Sequence, residues 1–263
     1  MIADLSGRKA LVTGAGTSQG LGAAIAAVLA DQGADVAVAD VNMIEAVKVA
    51  ADLATAGSFA VELDVGSDDS VRAAFAEVEE RFGRIDIVVN NAGIGGARPG
   101  VDESAWDGTY QVNVLGTVRC TEAALPGMRE RRYGKIVNVS SISGHSARGS
   151  SGAYGVSKAA VLRYTKGLAV EIAEWSININ AVCPGAVWTG MQAASFARPE
   201  EVDPAFAGME PHEAFVAYYA PLTPMRRPQR PEEVGRAIAF LASDDAASIT
   251  GQCLHVDGGA IRD

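Results

Sequence analysis

Cysteine is scarce in this chain of 263 residues: Cys120, Cys183 and Cys253 lie far apart, are odd in number and include no C-x-x-C pair. That spacing indicates neither a disulfide framework nor a zinc site, and His212 and His255 show no ligand spacing with each other or with any cysteine. No metal is expected. Basic runs are missing too, since nothing exceeds Arg129-Glu130-Arg131-Arg132, and 22 Lys+Arg against 32 Asp+Glu give a formal net charge of -10. This balance argues against a nucleic-acid partner. The longest small and apolar run, LGAAIAAVLA at 21–30, has half the length that a membrane span needs, so no membrane association is expected. The opening MIADLSGRKALVTG puts Asp4, Arg8 and Lys9 before its first apolar run, which is not a signal-peptide layout. Asn138-Val139-Ser140 fits a glycosylation sequon, but an expected buried strand around it discounts the match. Internal repeats and low-complexity segments are absent. A reduced, cytoplasmic setting fits these absences.

What is present is apolar and alternating. With 48% hydrophobic residues the chain can bury a large core, and one domain over residues 1–263 is expected. KALVTG, DVAVAD, FAVELD, IDIVVN, KIVNVS, ININAV and QCLHVDG read as strands. Helical segments separate the first six, as with Val71, Phe75, Val78 and Phe82, and Ser67 offers that helix a cap. The strands are apolar throughout instead of alternating, so both faces are buried. The fold class is α/β: a doubly wound, mostly parallel seven-stranded sheet with helices on both faces, Rossmann-like. Residues 185–230 lack clear strand or helix signals and hold six prolines with Trp188, Phe196, Phe206, Phe215, Tyr218 and Tyr219. This interval reads as a substrate-covering loop over an apolar pocket; the alternative is two short helices packed on the domain or on a partner subunit.

The first strand runs into TGAGTSQGLG, with glycines at 14, 16, 20 and 22, and then into a helix. Bare backbone at such a strand-to-helix turn lets a pyrophosphate approach free N–H groups at the positive end of the helix. Asp40 closes the second strand eighteen residues past Gly22, where the dinucleotide pattern calls for an acid to receive the ribose hydroxyls. Its carboxylate would repel a 2′-phosphate, and no cation stands in Val41-Asn42-Met43 or Thr17-Ser18-Gln19. NAD is favoured over NADP. Asp40 could equally cap the following helix.

Tyr154 and Lys158 in AYGVSKAAV fall four apart, on one face of a helix. Together with the glycine turn, Asn90-Asn91-Ala92-Gly93, Asp64-Val65, Asn113 in YQVNVLGTV, Ser140-Ser141, NAVCPG at 180–185 and the closing TGQCLHVDGG, they make the whole chain resemble the single-domain short-chain dehydrogenase/reductase family. The resemblance implies an NAD-dependent oxidoreductase (EC 1.1.1.-) that interconverts a secondary alcohol and its ketone. The implied catalytic set is Asn113, Ser141, Tyr154 and Lys158. Ser141, chosen over Ser140 because Gly144 follows it by three, would hydrogen-bond the substrate oxygen; Tyr154 would exchange its proton; Lys158 would hold the nicotinamide ribose and lower the tyrosine pKa; Asn113 would anchor a water. A phenol with pKa near 10 needs roughly 4 kcal/mol to act as a base near neutrality, about what one cation 4 Å away supplies at an effective dielectric of 20. Cofactor contacts are implied for Gly14, Gly16, Gly20, Leu21, Gly22, Asp40, Asp64, Val65, Asn91, Ala92, Gly93, Tyr154, Lys158, Pro184, Gly185, Val187 and Thr189, with Asn90 near the ribose and its strand end.

One departure concerns the glycine turn: the later glycines come two residues beyond the family's T-G-x-x-x-G-x-G spacing, so the turn is longer. Enoyl reductases of the wider family also lengthen it but separate tyrosine from lysine by more residues. Halohydrin-dehalogenase-like lyases carry arginine where Lys158 stands, and non-catalytic dinucleotide sensors normally lack the tyrosine or lysine. The family's helices at 105–125 and 152–174 imply a homotetramer or homodimer. His145, four residues past Ser141, is read as a solvated loop residue.

Overall fold

The computed structural model describes residues 3–95, 103–145 and 152–261, and every site residue named above falls within them. Strands β1 (Lys9–Thr13), β2 (Asp35–Asp40), β3 (Phe59–Glu62), β4 (Ile87–Asn90), β5 (Gly134–Val139), β6 (Ile177–Pro184) and β7 (Cys253–Val256) pair in the order β3-β2-β1-β4-β5-β6-β7, all parallel. The seven runs read as strands are thus the seven strands of one sheet. Successive side chains leave opposite faces of it, and both sets are apolar. Val12, Val36, Val38, Val89 and Val182 join one core. Leu11, Ala37, Ala39, Val88 and Ile179 join the other.

Helices α1 (Leu21–Asp31), α2 (Met43–Ala51) and, late in the chain, α10 (Pro231–Ala242) supply residues to the first core; α3 (Asp68–Phe82), α5 (Gly116–Arg131) and α6 (Ala153–Ile172) supply the second. Local chemistry sets their ends. Ser67 accepts a hydrogen bond from the Ser70 amide, Asp68 and Asp69 sit in the positive first turn of α3, and Gly83 ends that helix at φ 75°. Asn42 caps α2 by accepting from the Glu45 amide, so the cap assigned as one option to Asp40 belongs to its neighbour two residues on. Between α4 (Glu103–Tyr110) and α5 the chain widens into a π turn, Gln111–Leu115, of the kind that commonly marks functional positions.

Residues 185–230 differ from expectation. Instead of a loop they contain α7 (Gly190–Ser195), α8 (Pro199–Val202), a 3-10 turn at Pro204–Phe206 and α9 (Pro211–Tyr219). Phe196, Ala214 and Phe215 are buried there in a small core of their own, with the Phe196 and Phe215 rings edge to face at 5.5 Å. Pro199 and Pro211 start two of these helices, because the first helical position needs no N–H donor. A single parallel bridge, Val187 with Gln229, closes the base of the segment.

A polar chain crosses the second core. Asn90 Nδ2 donates to Thr121 Oγ1 at 3.0 Å and to Asn138 Oδ1 at 2.8 Å, and Asn138 Nδ2 donates to Thr165 Oγ1 at 2.9 Å. This ties β4 and β5 to α5 and α6 through buried groups whose loss leaves partners unpaired. Asn138→Ala is expected to lower the unfolding free energy by about 1–3 kcal/mol, read as a shift of the urea midpoint at unchanged slope.

Candidate active site

Strand order reverses between β1 and β4, and a cleft of about 550 Å³ opens there along the carboxyl ends of the strands. Its floor is held by side chains where the ladder stops. Thr13 Oγ1 accepts from the amides of Asn91 and Ala92, both at 3.0 Å, and Asn91 Nδ2 donates to the carbonyls of Thr13 and Gly14, both at 2.9 Å. Of the sequence-predicted cofactor residues, Gly14, Gly20, Leu21, Gly22, Asp40, Asp64, Val65, Asn91, Ala92, Gly93, Tyr154, Lys158, Pro184, Gly185, Val187 and Thr189 line this cleft. Gly16 and Asn90 do not. The Asn90 side chain points inward to the polar chain described above.

The glycine turn is built for a close approach. A Cβ on Gly22 would fall 2.3 Å from the Gly14 carbonyl oxygen, and one on Gly16 would fall 2.6 Å from the Cβ of Asp40. The two extra residues fold into a turn closed by the Gly20 amide on the Thr17 carbonyl at 2.7 Å. Gly20 begins α1 with no side-chain cap, so the first amides of the helix are left for a bound anion. Asp40 Oδ2 accepts from the Gly16 amide at 2.8 Å and Oδ1 from the Asn42 amide at 2.9 Å, which fixes the carboxylate at the lip of the cleft. Asp64 accepts from the Gly66 amide at 2.8 Å and so also serves its own strand-end turn. Turn, uncapped helix and fixed carboxylate fit a dinucleotide.

The opposite wall carries Ser141, Tyr154 and Lys158. Ser141, two residues past the end of β5, accepts from the Ser143 amide and so caps a 3-10 turn at Ile142–Gly144. Ser140 is turned away: its hydroxyl donates to the Lys158 carbonyl at 2.9 Å inside the protein. Ser141 hydrogen-bonds the Tyr154 hydroxyl; burial raises the tyrosine pKa and this bond lowers it. Lys158 Nζ donates to the Val139 carbonyl at 2.9 Å and lies 5.7 Å from the Tyr154 ring centre. Burial pushes the Lys158 pKa down to about 8, with Cys183 pulling the other way. The lowering of Tyr154 expected from Lys158 therefore meets the opposing effect of burial, and it is Ser141 that pulls the tyrosine down. Lys158 is the only lysine or arginine lining the cleft among the described residues.

Asn113 stands behind the cleft, 1% exposed, in the π turn. Its Oδ1 accepts from the Ile94 amide at 2.8 Å, and its Nδ2 donates to the Ile94 carbonyl and to Ser157 Oγ, both at 3.0 Å. Its side chain is spent on holding Ile94, just past Gly93. The aromatics of 185–230 are also placed differently from the expected pocket wall. Phe196 and Phe215 fill the segment's own small core, Trp188 and Phe215 line a second cavity behind the glycine turn, and Ile94, Val112 and Met191 line the cleft.

Sequence spacing gave no metal ligands, yet His145, Cys183 and His255 meet in space. The contact depends on the pairing of β6 with β7, which puts Cys183 opposite His255, and on the turn after Ser141. No linear motif reports either.

A family model described as "Enoyl-(Acyl carrier protein) reductase" matches residues 14–260. Oxidoreductase UcpA of Salmonella typhimurium is 42% identical over 261 residues, covering 97% of this chain and 95% of the relative. Cis-4-hydroxycyclohexanecarboxylate dehydrogenase of Sinomonas cyclohexanicum is 38% identical over 257 residues, 96% of each chain. The crystal structure of levodione reductase superposes with a TM-score of 0.84 at 32% identity, covering 97% of both chains.

The bare backbone at Gly22 is open to a direct check. Gly22→Ala is expected to push the turn away from α1 and lower stability by about 1–3 kcal/mol, measured by thermal melting, with loss of dinucleotide binding measured by fluorescence titration.

Proposed function

The chain belongs to the short-chain dehydrogenase/reductase family of oxidoreductases, and on that premise we propose that it interconverts a secondary alcohol and its ketone with NAD as cofactor. The observation that carries this reading is the Ser141, Tyr154, Lys158 wall facing the glycine turn and Asp40 across one cleft. Bound NAD would supply hydride acceptance and NADH hydride donation. The chain's own work is binding and proton handling. Ser141 and Tyr154 already share a hydrogen bond, so a substrate oxygen entering between them takes donors from both. During reduction Tyr154 gives its proton to that oxygen; during oxidation it takes the proton back. The Lys158 ammonium has donors left after Val139 is satisfied; these hold a ribose hydroxyl and favour the phenolate. Asn113 is a positioning residue that keeps Gly93 and Ile94 against the π turn.

Asp40 supports NAD. Its carboxylate is pinned by two amides, and among the described residues the cleft offers a 2′-phosphate no arginine and no lysine but Lys158 on the opposite wall. The four-residue spacing of Tyr154 and Lys158 supports alcohol and ketone chemistry over the enoyl reduction in the family model's description. Apolar Ile94, Val112 and Met191 beside the wall suit a ring alcohol, the class named for the cyclohexanecarboxylate relative. Exposed Val156 and Val170 on α6 support the dimer or tetramer face, and light scattering that gives a monomer would remove that part of the reading.

The test is NAD and NADP reduction over cyclic alcohols, polyols, hydroxysteroids and hydroxyacyl esters. Tyr154→Phe is expected to lose about 10²–10⁴ in kcat while still binding NADH. Asp40→Ser is expected to cut the NAD-to-NADP ratio of kcat/KM by about tenfold or more, or about 1.4 kcal/mol. Full activity in Tyr154→Phe would sink the catalytic assignment, and a wild-type preference for NADP would sink the cofactor choice alone.

A further inference from the structure

His145, Cys183 and His255 come from three elements: the end of the turn after Ser141, the penultimate residue of β6 and the facing residue of β7. One ligand atom of each lies within 4.8 Å of the others. The two imidazoles meet edge to face with centres 4.6 Å apart. His255 Nε2 is buried and has no hydrogen-bond partner among the described residues. Leu162, Ala181 and Ile142 pack around Cys183 and keep the sulfur dry. Zinc bonds of about 2.0–2.1 Å to nitrogen and 2.3 Å to sulfur put tetrahedral ligands roughly 3.3–3.8 Å apart, so a modest contraction of this triangle completes the geometry. Two imidazoles and one thiol are a donor set suited to zinc-class dications, and a carboxylate or carbonyl site for magnesium or calcium would need different atoms.

We propose that His145, Cys183 and His255 form a three-ligand site for a thiophilic dication, with zinc as the fitting metal and the fourth position left to water. Binding forms one metal–sulfur and two metal–nitrogen bonds; the Cys183 thiol proton passes to solvent, and all but one of the hydrated ion's waters leave. Nothing is oxidised or reduced. Lys158 lies close enough to Cys183 to interact with its charge, so the thiolate offsets one of the two metal charges there. The buried Asp257 carboxylate, held by the Gly259 and Ile261 amides, acts on Cys183 through its charge and favours a cation. Because Ser141 caps the turn that His145 ends, an occupied site would tie the Ser141 turn to the β6–β7 edge. The site rests on its own donors and stands whether or not the cofactor reading holds.

Chelator-stripped full-length protein titrated with Co²⁺ and then displaced by Zn²⁺ tests it. The expected result is one cobalt per chain, with four-coordinate d–d bands and a thiolate-to-cobalt charge-transfer band. Cys183→Ser should abolish the charge-transfer band, and His255→Gln should weaken binding about 100-fold, the upper end of what ligand-supporting changes cost. Cys183 is fully buried, so His145→Gln on the partly exposed turn serves as a second variant, with near-ultraviolet circular dichroism to check the fold. It should lower cobalt affinity and dim the d–d bands. Failure of the wild-type protein to take up cobalt overturns the proposal, as does an unchanged spectrum in His145→Gln and Cys183→Ser.

Discussion

Everything at the cleft depends on how β1 and β4 part. Ladder pairing between them ends at Val12 with Val89, and from there Thr13 and Asn91 take over with four hydrogen bonds between one hydroxyl, one carboxamide and the neighbouring backbone. Buried backbone polar groups must be paired, and here side chains pair them while the two chains diverge. The glycine turn leaves to one side and the segment of Gly93 to the other. Without this clasp the gap at the switch in strand order would either close or leave amides orphaned.

The second dependency is electrostatic. The chain carries ten more acidic than basic charges, yet the cleft's only lysine or arginine among the described residues is buried at its base, 4% exposed. An ammonium in that position loses much of its hydration, and the Val139 carbonyl returns one strong bond. The result is an amine whose proton is held less tightly than usual beside a phenol whose proton is held more tightly. Burial thus reverses the usual order of the two groups, so that the lysine gives up its proton before the tyrosine does.

Sequence carried the sheet because strands buried on both faces read as unbroken apolar runs; all seven could be named before any tertiary contact was known. It carried the cleft wall because the spacing of Tyr154 and Lys158 is itself a geometric statement about a helix. It failed for 185–230, where helices of four to nine residues are too short to show a period. It also failed for side chains whose direction is settled by neighbours from afar. Asn90 turns into the core, Asn113 spends its amide on Ile94, and His145 meets residues from β6 and β7. These are questions of which face and which partner, and a local pattern has no variable for them.

The helical segment of 185–230 leaves the sheet after Val187 and returns at Gln229, and those two residues are bridged to each other. It is therefore an excursion that begins and ends at one point and carries its own aromatic core. Such a segment can change length, composition and internal packing while the strand register beneath it stays as it is, since no ladder bond runs through it. The sheet with its cleft and the excursion from Val187 to Gln229 are in this way separable pieces of one chain, one conservative by construction and the other free to diversify.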